Sequence, residues 1–220
     1  MKGGIHQWKS VSRNSAFSMI NKGLSVVFPL VTVSYISRVL GAAGIGEISS
    51  AQNLATYFSM AAALGIPSYG VRAIAQSKRD ENSCNKTFSE LFAINLISSI
   101  IATVVYLITV FCFKINNSNT ALALIFSSII VFNVINIEWV YQGYEEYGYI
   151  MIRSFVIKIV SLLLLFIFVR RKSDLVAYAL IICFGSIGNY VLNFINLKRY
   201  VKLSFCNISL KKHIRPIMTF

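Results

Sequence analysis

The sequence predicts an all-α integral membrane protein with six transmembrane helices, and three observations lead there. Mean hydropathy is +0.66 and 13% of residues are charged, where a soluble globular chain carries about 25%. The apolar residues gather in runs near the roughly 20 residues that cross a bilayer as a helix. These runs are too long, and too little alternating, to be strands of a membrane barrel, which need about 10 alternating residues.

The expected spans are 15–35, 45–64, 88–113, 121–141, 149–169 and 175–196. Residues 1–14 form a basic segment ahead of the first span, which reads as a membrane anchor and not as a cleaved leader. Residues 197–220 form a second basic segment that runs into IMTF, the expected start of a seventh helix cut at Phe220. With the N-terminus inside, the inner segments hold Lys2, Lys9, Arg13, Arg72, Lys78, Arg79, Lys86, Arg153, Lys198, Arg199, Lys202, Lys211, Lys212 and Arg215. The outer loops hold Arg38, Lys114, Arg170, Arg171 and Lys172. That bias places the N-terminus in the cytoplasm. It also accounts for the net charge of +13 without nucleic acid, since cytoplasmic loops collect Lys and Arg and these attract anionic lipid. No zinc-finger spacing or aromatic-interleaved basic face is present. Cys84, Cys112, Cys183 and Cys206 are scattered and form no CxxC, so neither disulfide nor metal is expected.

The densest chemistry lies in the link between spans four and five, INIEWVYQGYEEYGYI (residues 135–150). It holds Glu138, Glu145 and Glu146 beside Trp139, Tyr141, Tyr144, Tyr147 and Tyr149. Physical chemistry alone makes this two helix ends with a headgroup aromatic belt and a tight turn at Gln142 and Gly143, glycine allowing positive φ.

Polar side chains inside the spans are costly and therefore worth locating. Asn21, Ser25, Pro29 and Thr32 share one face of span one, and Pro29 is expected to kink it. Span two offers Gln52, Asn53 and Tyr57, and span three Asn95, Ser99 and Thr103. In span five Ser154, Lys158 and Ser161 share a face. Span six has Asn189 and Asn193 one turn apart, near Gly185 and Gly188. Such stripes face a wet cavity or glue helices together. Lys22 and Lys158 each lie roughly 10 Å into a span, with no carboxylate at that depth, and Arg153 lies near the inner interface. Unpaired cations in a cavity invite an anionic ligand such as a phosphate; on a lipid-facing surface the same lysines would snorkel. No metalloprotease, phosphate-loop or serine-nucleophile motif is present, and His6 and His213 lie at the chain ends. The chain reads as a non-enzyme with no cofactor.

SRVLGAAGIGEISSAQNLATYF, GIPSYGVRAIAQSKRD and NIEWVYQGYEEYGYIMIRS resemble the bacterial polysaccharide repeat-unit flippases. These are the O-antigen and capsule flippases of the multidrug/oligosaccharidyl-lipid/polysaccharide exporter superfamily. The resemblance covers nearly the whole chain, and the link residues Glu138, Trp139, Tyr141, Gln142, Gly143, Glu145, Tyr149 and Ile150 carry it best. It implies one lobe of a MATE-like, two-lobed bundle in the bacterial inner membrane. It implies a substrate of polyprenyl-pyrophosphate-linked oligosaccharide and a proton or sodium gradient as the drive. It implies that Lys22, Arg153 and Lys158 meet the pyrophosphate in a cavity lined by Asn21, Ser25, Gln52, Asn53, Tyr57, Asn189 and Asn193. The resemblance makes the link a family hallmark on the cytoplasmic side, and the expectation from its residues is that the rings hold the helix ends while Glu138 and Glu145 help fix an inward gate. Partners are membrane lipid, a second lobe (another copy, a separate subunit or a missing half) and polysaccharide assembly proteins. The alternatives are a multidrug-type exporter lobe, which calls for an intramembrane carboxylate, and a membrane remnant that transports nothing.

Overall fold

The computed structural model describes residues 3–113, 120–203 and 211–218. Lys2, Lys114, Cys206 and Phe220 lie outside the described residues, as do the side chains of Lys9, Arg13, Lys211 and Arg215. Among the described residues every regular element is helical: α1 (Gly3–Val39), α2 (Gly41–Ala63), α3 (Ile66–Ser77), α4 (Glu81–Phe113), α5 (Thr120–Phe132), α6 (Glu138–Gly143), α7 (Tyr147–Phe168), α8 (Leu175–Asn196) and α9 (Lys211–Met218). A 3-10 turn (Asn133–Ile135) follows α5 and another (Leu197–Arg199) follows α8.

Among the described residues five helical stretches are long and apolar enough to cross a membrane: Asn14–Val39, Glu81–Cys112, Thr120–Gly143, Tyr147–Phe168 and Leu175–Arg199. The remaining expected span, α2, has 23 residues, about 35 Å, which is long enough. It falls short on apolarity because Glu47, Ser49, Ser50, Gln52, Asn53 and Thr56 interrupt it. It packs against α4 and α5. Gly44, Ile48, Ala51, Ala55 and Ala62 form its buried stripe, and such small residues let helix backbones approach closely where lipid supplies no hydrophobic drive. α7 joins α1 to α8, and α8 closes onto α5.

The side chains sort into two apolar clusters. One, around Ile48, Tyr106, Phe126, Ile130 and Leu165, fills the bundle toward the α1–α2 corner. The other, around Ile74, Phe88, Leu91, Ile137, Trp139 and Leu197, fills the opposite end. α3, α6 and α9 gather at that second end and cap it. A band of large apolar residues faces outward, including Leu30 and Val31 on α1, Ile100 and Ile101 on α4, and Leu163 and Phe166 on α7.

Several boundaries differ from expectation for local reasons. α1 begins at Gly3, inside the segment expected to precede the first span, and runs through Pro29 as one assigned helix. α4 begins at Glu81, well before residue 88, because Asp80 caps it. The Asp80 carboxylate accepts from the backbone N–H groups of Asn82 (3.2 Å) and Ser83 (3.3 Å), filling the role of an N-cap. α3 is absent from the expected spans. GIPSYGVRAIAQS is a short amphipathic helix that buries Ile66, Gly70, Ala73 and Ile74. It turns out of α2 through Leu64 (φ 48°) and Gly65 (φ 78°).

The fourth span is not continuous. α5 stops at Phe132, passes through the 3-10 turn and restarts as α6. The carbonyls freed at the break are taken by Asn95 of α4, whose Nδ2 donates to Asn133 O (3.1 Å) and Val134 O (3.2 Å).

Candidate functional site

The link of residues 135–150 is a packed knot, which corrects the expected headgroup belt. Trp139 and Tyr141 are buried in protein, at 3% and 0% exposure. The Trp139 ring lies over Gly70 of α3, where a Cβ would come within 2.6 Å of it. Gly143 lies against the same helix, and a Cβ there would be 2.7 Å from Ile74 Cγ2 and 3.1 Å from the Val71 carbonyl. Gly143 thus serves close approach between α6 and α3, not a positive-φ turn. The left-handed residue is Glu145 (φ 64°). Glu146 N donates to Tyr141 O (2.9 Å) and Glu145 N to Gln142 O (3.0 Å), a Schellman ending whose left-handed position usually holds glycine.

Hydroxyls tie this knot to the neighbouring elements. Tyr141 OH donates to Asn193 O (2.6 Å) and Tyr149 OH to Leu192 O (3.0 Å), with the two rings stacked 4.8 Å apart. Tyr144 OH donates to Tyr200 O (3.1 Å); burial above all, then the neighbouring Cys84, raises the Tyr144 phenol above its ordinary pKa. Lys78 reaches Glu145 at 3.0 Å and the Gly143 carbonyl at 3.3 Å. Gln142 Nε2 donates to Glu138 Oε1 (3.2 Å).

At the centre sits Arg153 of α7, its side chain 2% exposed. Its Nη2 meets Glu138 Oε2 at 2.5 Å. Its Nε donates to Asn189 Oδ1 (2.9 Å) and its Nη1 to Asn193 Oδ1. The Tyr149 ring lies 5.9 Å from the guanidinium carbon. Arg153 therefore has its donors occupied by protein and locks α6, α7 and α8 together. A buried guanidinium demands such pairing, because an isolated charge out of water is expensive.

Beyond Asn189 a cavity of about 340 Å³ opens between α1, α2, α7 and α8. Its polar lining includes Thr32, Gln52, Lys158, Ser161, Tyr178 and Asn189, with no Asp or Glu among the described lining residues. Lys158 Nζ donates to Ser25 Oγ across the α1–α7 interface at 2.9 Å. Thr32 bonds back to the Phe28 and Pro29 carbonyls, both at 3.1 Å.

The expected site residues separate into groups. Lys158, Gln52 and Asn189 meet at this cavity, and Ser25 stands outside its lining, bonded to Lys158. Arg153, Asn193 and Glu138 form the buried network beside it. Lys22 is exposed and lines a different pocket with Glu145 and Tyr147, so the two lysines do not share one site. Asn53 and Tyr57 are exposed, Tyr57 at 68%, and stand outside the cavity lining. Asn21 Oδ1 is buried without a partner among the described residues. Tyr178 and Ser186 also line the cavity and are missing from the expected set; a Tyr inside an apolar run was the available signal for the first.

A family model described as "Polysaccharide biosynthesis protein" matches residues 11–220. The chain is 26% identical over 210 residues to a protein of Escherichia coli (strain K12) named "Putative O-antigen transporter", covering 86% of this chain and 50% of that protein. A protein of the same name from Shigella dysenteriae is 23% identical over 168 residues, covering 76% of this chain and 42% of its own length. The chain thus spans about half the length of these relatives. No solved structure matches it.

Proposed function

The chain belongs to the polysaccharide biosynthesis protein family, and from that membership we propose that it forms one lobe of an exporter. The exporter carries polyprenyl-pyrophosphate-linked oligosaccharide across the bacterial inner membrane for O-antigen or capsule. The lobe is oriented with the N-terminus and the 135–150 link in the cytoplasm, and a second lobe supplies the opposite wall of the transport path.

One observation carries this reading: a cavity among the helices whose described lining holds a lysine, hydroxyl and amide groups and no carboxylate. A cation in such surroundings favours an anion. Hydroxyls and amides suit sugar and phosphate oxygens. A drug-exporter lobe that takes cations would need the reverse charge here. Lys158 is the residue assigned to the phosphate, and Gln52, Ser161 and Asn189 to its surroundings. Lys22 stands apart as a cytoplasmic-side cation that first meets the headgroup. Arg153 holds the gate shut from within, through Glu138, and does not touch substrate.

The test is complementation of a flippase-deficient strain, with the second lobe co-expressed. Lys158→Gln should lower surface polysaccharide about tenfold, the loss of one charge-assisted contact near 1.5 kcal/mol, and Lys158→Arg should retain most of it. Full activity in Lys158→Gln at equal membrane abundance would remove Lys158 from the transport path.

A further inference from the structure

The break between α5 and α6 leaves hydrogen-bonding capacity in the driest part of the capped end. Asn95, Asn133 and Trp139 are 5%, 2% and 3% exposed. Each has one polar atom without a partner among the described residues: Asn95 Oδ1, Asn133 Nδ2 and Trp139 Nε1. The orientation of Asn95 is set, since its Nδ2 already serves two carbonyls. Asn133 Oδ1 in turn accepts from Asn136 Nδ2 at 3.3 Å. All of these residues line one small cavity of about 10 Å³, closed on its other side by Ala63, Ile66 and Pro67 of the α2–α3 corner.

Leaving three such groups unpaired would cost about 1–3 kcal/mol each, which a native joint does not carry without return. The cavity is just large enough for the centre of one water molecule, for which about 10 Å³ is the threshold. Its chemistry selects the occupant. Two N–H donors repel a metal ion, the Asn95 carbonyl repels an anion, and the volume rejects anything larger. A water molecule accepts twice and donates at least once, which matches the three orphan atoms.

We propose that a single buried water is a built-in part of this joint, accepting from Trp139 Nε1–H and Asn133 Nδ2–H and donating to Asn95 Oδ1. It joins α4, the broken span and α6 at the three polar atoms that no side chain reaches. It also gives the link tryptophan a chemical reason: the indole N–H is what phenylalanine lacks. This inference stands apart from the transport reading, since it concerns how the break is held.

The sequence holds two tryptophans, Trp8 and Trp139, so Trp8→Phe leaves one indole signal. In the 15N-labelled chain in deuterated lipid nanodiscs, that N–H should show slow solvent exchange together with a persistent rotating-frame Overhauser cross-peak to water. Asn133→Leu, which removes one donor and fills the space with methyl groups, should abolish the cross-peak while the indole stays protected. On the unsubstituted chain the same peak is identified by its loss in Trp139→Phe. A slowly exchanging indole with no water cross-peak overturns the proposal. So does a rapidly exchanging one, which would make the site open to solvent.

Discussion

Glu138 and Arg153 are fifteen residues apart yet share one part-buried bond, and the buried Arg153 charge sets the penalty for removing its partner. Taking away one partner strands the other, which costs about 3–5 kcal/mol. Glu138 keeps 35% side-chain exposure, so water partly compensates Arg153, and Glu138→Ala should cost about 3 kcal/mol in thermal unfolding. Glu145 tests a different balance. Its left-handed backbone costs about 1–2 kcal/mol in a non-glycine residue, while its exposed pair with Lys78 returns under about 1 kcal/mol. Glu145→Gly should therefore leave the melting temperature unchanged or slightly raised, and a fall in transport in that variant belongs to the lost charge. Asp80 gives a pH test. Its carboxyl is held below the ordinary range by the Ser83 hydroxyl and the Asn82 amide. A depressed folded value means that its capping contribution is full above about 3.9 and is lost as pH falls through the folded value. The protection of the Asn82 and Ser83 amides, measured against their intrinsic exchange rates, should fall only in that acid window. At this scale the sequence was legible for Lys158 and Ser25. It marked Arg153 as a cation but not as a lock, because its partners Glu138, Asn189 and Asn193 lie on α6 and α8 and become neighbours only after folding.

The helices show why part of the fold was legible and part was not. Long apolar runs announce themselves by composition, so α4, α7 and α8 are located from it. α3 is short, and a span-length window dilutes its buried stripe with Arg72, Gln76 and flanking charges. The α5–α6 break lies inside an apolar run, and its cause, Asn95, sits on another helix. Gly143 reads as a turn in the sequence because glycine is ambiguous between positive φ and close packing; only the approach of Ile74 decides. α9 falls where a seventh helix was expected to start. In the structure it packs on α3 and buries His213, whose ring lies 2.7 Å from Glu90 Oε2 and 2.8 Å from Tyr69 OH. Burial, then the Glu90 charge, raises the Tyr69 phenol. Replacing His213 by Ala removes both contacts, each near 1 kcal/mol or more. Tryptic cleavage after exposed Lys212 should then rise about tenfold while the circular dichroism of the main bundle is retained.

For the whole molecule the decisive feature is the contrast between the outward apolar band and the polar cavity between α1, α2, α7 and α8. The half-buried Lys158, Gln52 and Asn189 and the buried Ser161 set polar groups among membrane-spanning helices, where they are costly, and this suits the proposed transport path. The capped end is held by Arg153, by the α3–α6 contact and by the Tyr hydroxyls, as the proposed gate requires. The direct measurement is the affinity of polyprenyl-pyrophosphate-linked oligosaccharide for this chain in lipid nanodiscs, with Lys158→Gln and Lys158→Arg alongside. If Lys158 meets the phosphate, binding weakens about tenfold in Lys158→Gln, is largely kept in Lys158→Arg and falls with added salt. Equal affinity in all three chains, independent of salt, would contradict the assignment of this cavity to the anionic substrate.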